Sequence, residues 1–146
     1  MYWAVAAIVI VLDRLSKMWV KANLDVGSGF TVIPKLLDFT HVQNTGAAFS
    51  NFQGKGTALI IVTTLLMVLI TVYVYVPKFK ATKAEKLCLG MILGGGAGNL
   101  ICRIIQGYVT DFINIHILPV FNVADIFICI GCALMLIITL FDDRRE

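Results

Sequence analysis

The chain has 146 residues, 59% of them hydrophobic and 14% charged, with a formal net charge of +3 and a mean hydropathy of +0.89. Soluble domains carry about 25% charged residues, and a chain this short has too much surface to hide so much apolar area within itself. An ordinary soluble domain is excluded, lipid becomes the expected solvent, and the lysines form no nucleic-acid-binding face.

Four segments, residues 2–20, 57–76, 85–105 and 123–141, are long and apolar enough to read as membrane spans. The first resembles the start of a signal peptide. It lacks a basic leading region, however, and Asp13, Arg14 and Lys17 stand where a small-residue cleavage site belongs, so it is expected to be retained. In the connection that follows, Phe30–Ile33 and Leu37–Val42 have strand-like composition around Pro34 and Lys35, and Asn44-Thr45-Gly46 reads as a turn. A small β-structure resting on the outer membrane surface is expected there. The second span, Thr57–Val76, carries no charge.

Lys78, Lys80, Lys83 and Lys86 cluster between the second and third spans. Such a cluster is either a patch for anionic lipid or, the favoured reading, an orientation signal that keeps its loop in the cytoplasm. Alternation then puts both termini inside, in keeping with Arg144 and Arg145 in the tail, and residues 21–56 and 106–121 outside. Pro119 marks the approach to the fourth span. The expected architecture is an all-α polytopic membrane protein, four transmembrane helices in a single domain over residues 1–146, with a small extracytoplasmic β-structure. Cys88, Cys102, Cys129 and Cys132 match no zinc or disulfide spacing and read mostly as buried small apolar residues.

Given this orientation, the polar residues of the spans are not scattered. Asp13 and Lys17 fall in the outer half of the first span, Asn99 and Arg103 at the outer end of the third, and Asn122 and Asp125 at the outer end of the fourth. Asp111 lies in the outer loop at about the same depth. A charge within the bilayer costs about 2.5–3.5 kcal/mol on insertion scales. Local ion pairing and interhelical hydrogen bonding explain individual residues, but the full set at one level points to a site. Two carboxylates facing one pocket cannot both ionise easily, so they share a proton. One then activates water while the other protonates a leaving amine. On spacing alone, Asp111 and Asp125 are a weak signal for this chemistry.

Read together, the motifs are more specific. Asp13-Arg-Leu-Ser-Lys17 resembles the D-x-x-[ST]-K box of lipoprotein signal peptidases, and Gln43-Asn44-Thr45-Gly46-Ala47-Ala48-Phe49 resembles their N-x-G-A-A-[FW] loop. Gly94-Gly95-Gly96-Ala97-Gly98-Asn99 with Arg103 resembles their G-G-A-x-G-N-x-x-D-R helix end, Val109–Ile113 their V-V-D-F-I, and Phe121–Asp125 their F-N-x-A-D. The motifs occur in family order and cover essentially the whole chain.

The resemblance implies that Asp111 and Asp125 are catalytic, that Asn44, Asn99, Arg103 and Asn122 line the site and hold substrate backbone, and that Asp13, Lys17, Gly46 and Ala124 support it. It further implies an aspartyl endopeptidase that removes the signal peptide from a prolipoprotein, cutting before a diacylglyceryl-modified cysteine. A bacterial cytoplasmic-membrane location is implied, with the site near the outer face, no metal or organic cofactor, sensitivity to globomycin-type inhibitors, and a monomer in contact with membrane lipid. The glycine run reads either as substrate contact or as close helix packing.

Cys102 departs from the pattern, which has aspartate before the arginine. A catalytically weakened or inactive homologue that still binds lipoprotein precursors is therefore the alternative. An ion-coupled transporter is a more distant one, since the inner halves of the second and fourth spans are plainly apolar.

Overall fold

The computed structural model describes residues 1–46, 55–76 and 81–141. Ala47, Ala48 and Phe49 of the loop motif, Lys78 and Lys80 of the lysine cluster, and the tail arginines lie outside the described residues. Within them the chain runs α1 (Tyr2–Asn23), β1 (Gly29–Ile33), β2 (Leu37–Asn44), α2 (Lys55–Tyr75), α3 (Lys83–Gln106), β3 (Val109–Asn114) and α4 (Val123–Leu140).

Three of these helices, over Thr57–Tyr75, Lys83–Gln106 and Val123–Leu140, are long and apolar enough to cross a membrane. α1 is equally long, yet Asp13, Arg14, Lys17 and Lys21 keep its composition outside that class. Most of α2, α4 and one face of α1 present bare leucine, isoleucine and valine to the surroundings, including Ile8, Leu12, Leu15, Leu65, Leu69 and Leu136. A water-soluble fold does not expose contiguous apolar faces of this size.

α3 is the central element and packs against α1, α2 and α4. Thr82 starts it with a capping box, its hydroxyl accepting from the Glu85 amide while the Glu85 carboxylate accepts from the Thr82 amide, so two amides without helical partners are satisfied. Gly107, in the left-handed region at φ 78°, stops it.

The glycines of α3 explain why three helices fit so closely. A Cβ on Gly94 would lie 2.7 Å from the Ala6 carbonyl oxygen on α1, and one on Gly95 would lie 2.5 Å from the Ala124 carbonyl oxygen on α4. Gly90 abuts Tyr2 and Val5 in the same way. Missing side chains here bring backbones into contact, the packing device of apolar helices. Close packing is therefore what most of the glycine run does.

At one end of the bundle lies an antiparallel sheet of order β1-β2-β3. The two expected strands are present. β3 is an addition: the segment expected to be a loop pairs with β2 in the register Val42↔Asp111, Gln43↔Thr110 and Asn44↔Val109. Asp111 is thus a strand residue. Its strand is buried on both faces over Val109–Phe112, so it lacks the alternation by which half-buried strands are recognised.

The cysteines also depart from expectation. Cys88 and Cys102 are buried, but Cys129 and Cys132 are exposed on α4.

Candidate active site

Where the sheet meets the ends of α1, α3 and α4, the expected polar residues converge. Asn122 is the N-cap of α4, and its side-chain oxygen accepts from the Asp125 amide at 3.1 Å. Asp125 answers in a reciprocal capping box, Oδ2 accepting from the Asn122 amide at 3.2 Å. One motif thus starts a helix and fixes a carboxylate in its first turn, where the helix dipole favours negative charge.

The side-chain Nδ2 of Asn122 then donates to Asp111 Oδ1 at 2.6 Å. Asn44, the last residue of β2, donates to Asp111 Oδ2 at 2.8 Å. The Asn44 oxygen in turn accepts from the amide of Gly46, which adopts φ 78° in the expected turn. Glycine is suited to that position because left-handed backbone is costly for other residues.

A second chain of contacts reaches Asp125 from α1. Lys17 Nζ donates to Asp13 Oδ2 and to Asn99 Oδ1, both at 2.8 Å, and Asn99 Nδ2 donates to Asp125 Oδ1 at 2.8 Å. Lysine has only donors, so the Asn99 oxygen must face it and the amide nitrogen must face Asp125. The other oxygen of Asp13 accepts from the Ala124 amide at 3.0 Å, tying α1 to α4. Gly98 allows this approach, since a Cβ there would lie 2.5 Å from Asp13 Oδ2. Asp13 and Lys17 are 0% and 1% exposed, which makes them an internal brace rather than a surface pair.

Each oxygen of the two aspartates therefore receives a protein donor. A carboxylate oxygen has a further lone pair, and both side chains line one cavity of about 510 Å³. Leu118, Pro119, Phe121, Ile126 and Ile130 make its remaining wall largely apolar. Burial pushes the Asp111 carboxyl above its ordinary value. The neighbouring Asp125 charge adds to this, while the Asn122 and Asn44 hydrogen bonds and the Lys17 charge oppose it.

Not every expected site residue joins the cavity. Asn99 and Asn122 are buried and spend their amides on the aspartates, whereas Asn44 reaches the cavity wall. Arg103 stands apart, its Nε buried without a hydrogen-bond partner among the described residues. Cys102 is fully buried on another face of α3, where its sulfur accepts from Arg14 at 3.3 Å, and it lines a different cavity. The sequence did not mark Arg14 as a site residue; its i,i+3,i+7 spacing with Lys17 and Lys21 was the available signal. Among the described residues, no group of three or more His, Cys, Asp or Glu is placed to hold a metal ion.

The family model described as Signal peptidase (SPase) II matches residues 5–141. The chain belongs to the signal peptidase II family. It is 41% identical over 145 residues to the lipoprotein signal peptidase of Syntrophomonas wolfei, covering 99% of this chain and 96% of that one. The lipoprotein signal peptidase of Clostridium tetani is 36% identical over 142 residues, covering 94% and 90%. Among solved structures, a bacterial membrane enzyme determined by the in meso method superposes with a TM-score of 0.87 at 29% identity, covering 97% of this chain and 93% of that one. The family is one of membrane peptidases that process lipoproteins, and the overall fold is the one seen in that membrane enzyme.

Proposed function

We propose that the chain is an intramembrane aspartyl endopeptidase that removes the signal peptide from diacylglyceryl-modified prolipoproteins, cutting before the lipidated cysteine. The observation that carries this reading is the pair Asp111 and Asp125, brought from a strand and a helix to one cavity and bridged by Asn122.

Asp125 acts as the base. It lies in the first turn of α4 and receives the Asn99 amide, which is itself polarised by Lys17. Asp111, lifted by burial, carries the shared proton. A water between them is deprotonated by Asp125 and attacks the scissile carbonyl carbon. The Asp111 proton supports the developing oxyanion, and the proton taken from water passes to the leaving amine. Asn44, Asn99 and Asn122 hold the carboxylates, and the apolar cavity wall accepts the substrate's apolar residues.

α1 is assigned as a fourth span, because its Asp13 and Lys17 are turned inward and neutralise each other while its apolar face is bare. Both termini are then cytoplasmic, and the aspartates sit toward the outer face, near the level of a lipid-anchored cysteine. Cys102 does not touch either aspartate, so the departure from the family pattern leaves the dyad's contacts in place. A working enzyme, inhibited by globomycin and active as a monomer, is the expected form.

The test is cleavage of a diacylglyceryl-modified prolipoprotein by the purified protein in detergent. Asp111→Asn and Asp125→Asn should each lower the rate by about 10²–10⁴-fold, the usual contribution of a positioned acid or base. Retained cleavage in either variant would remove that aspartate from the mechanism.

A further inference from the structure

A second cavity, of about 330 Å³, opens between α1 and the end of α3. Its lining includes Arg14, Lys17, Lys21, Cys102, Gln106 and Thr110, with no acidic residue. Lys17 is neutralised by Asp13. Arg14 and Lys21 have no carboxylate partner among the described residues: Arg14 donates to the Cys102 sulfur at 3.3 Å, and Lys21 to the Gln106 side-chain oxygen at 2.8 Å. Two cations therefore face one concavity with only neutral acceptors.

That arrangement is costly beside a bilayer unless an anion completes it. A guanidinium offers a planar fork suited to phosphate, and an ammonium adds a point charge. The depth also fits. Lys21 lies 6.0 Å from the centre of the Tyr108 ring, and Trp19 is exposed nearby in sequence on α1. Aromatic residues of this kind collect at the headgroup level of membranes.

We infer that the cavity of Arg14, Lys21 and Gln106 binds a phosphate oxyanion. The ligand is either the phosphodiester of an anionic lipid headgroup or free phosphate. The site is separate from the aspartate cavity, from which Lys17 divides it, and it does not depend on the peptidase reading. Cys102 makes it possible, because a carboxylate in that place would supply Arg14 with an internal counter-ion.

The full chain is reconstituted in nanodiscs of phosphatidylcholine with a minor fraction of phosphatidylglycerol, and lipid retained on release is counted by native mass spectrometry. In parallel, inorganic phosphate is titrated against the thermal unfolding of the detergent-solubilised protein. Selective retention of phosphatidylglycerol identifies a headgroup site, and stabilisation by phosphate alone identifies a solution anion.

Arg14→Gln and Lys21→Gln should each weaken the interaction by about fivefold, the scale for one basic residue at an anionic lipid surface. Cys102→Asp should weaken it too while adding a charge instead of removing one, so it serves if either glutamine variant fails to fold. Equal retention of the two lipids by the parent, with no response to phosphate, would overturn the proposal. So would binding indifferent to all three substitutions.

Discussion

The ammonium of Lys17 lies 2.8 Å from the side-chain oxygen of Asn99, on a different helix and 82 residues away in the chain. Through that contact a donor-only group sets which end of the Asn99 amide faces Asp125. Lys17 therefore has two separable tasks, neutralising Asp13 and orienting Asn99.

Lys17→Met abandons both tasks and leaves Asp13 buried without a counter-charge. Breaking one side of a buried pair costs about 3–5 kcal/mol, so thermal unfolding in detergent should move sharply downward and cleavage should be lost. In the double variant Asp13→Asn/Lys17→Met the buried charge is gone and the Ala124 amide keeps an acceptor. Stability should recover substantially while activity does not. Recovery of both would show that Lys17 acts only through Asp13.

Asn122 joins the start of a helix to the chemistry. Asn122→Ala should lose about 0.5–2 kcal/mol from the missing cap, together with activity. Asn122→Asp keeps an N-cap acceptor for the Asp125 amide but can no longer donate to Asp111, and it adds a third carboxylate. Asn122 is fully buried, so the added charge is repelled by Asp111 and Asp125, and the expected result is a variant less stable than the parent at neutral pH with cleavage lowered at least as far as in Asn122→Ala. Full activity in Asn122→Asp would show that the bond to Asp111 is dispensable.

Burial holds the Asp111 proton above the ordinary carboxyl value of 3.8, with sign consequences for stability and for rate. Between 3.8 and the raised folded value the native state binds more protons than the unfolded chain. The stability associated with this group is thus fully present below the unfolded pKa and is lost as pH rises through the folded one. The rate of a dyad that needs one proton should decline over the same limb of its pH profile. Asn44→Ala removes a bond that opposes the shift and should move the alkaline limb to higher pH. A movement to lower pH would contradict the assignment of the proton to Asp111.

The glycines of α3 separate by what faces them. Gly94→Ala sets a methyl group against the α1 backbone, and Gly95→Ala against the α4 backbone, neither of which can rotate away. Each should cost about 1–3 kcal/mol as overpacking. A methyl group on Gly96 would meet Met67 and Thr63 side chains at 3.8 Å, an ordinary contact, and Gly96→Ala should be tolerated. Melting temperatures of the three variants, measured side by side, check the ranking.

The helices were legible in the sequence because their apolar runs are long; the capping boxes at Thr82 and Asn122 emerge only in the structure. The convergence of Asp13, Lys17, Asn99 and Asp125 was legible too, from their places in the expected spans and the orientation expected from loop charge. β3 was not, since Val109–Phe112 is buried on both faces and its pairing with β2 is a tertiary event. Nor did spacing show that Asn99 and Asn122 donate their side-chain N–H groups to the aspartates, or that Cys102 faces Arg14. Such roles depend on the rotation of each helix about its axis, which glycine contacts with neighbouring backbones decide.

The bond from the Ala124 amide to Asp13 links residues 111 positions apart, from the first helix to the last. Asp125 itself arrives only with that last helix, and Asn122, which steadies Asp111, comes just ahead of it. On the proposed mechanism, a chain inserting from its N-terminus therefore has no dyad until α4 is in place. With the dyad acting as proposed, hydrolytic capacity is withheld from every form that lacks α4, so a membrane in the midst of making this protein is not exposed to a half-built protease.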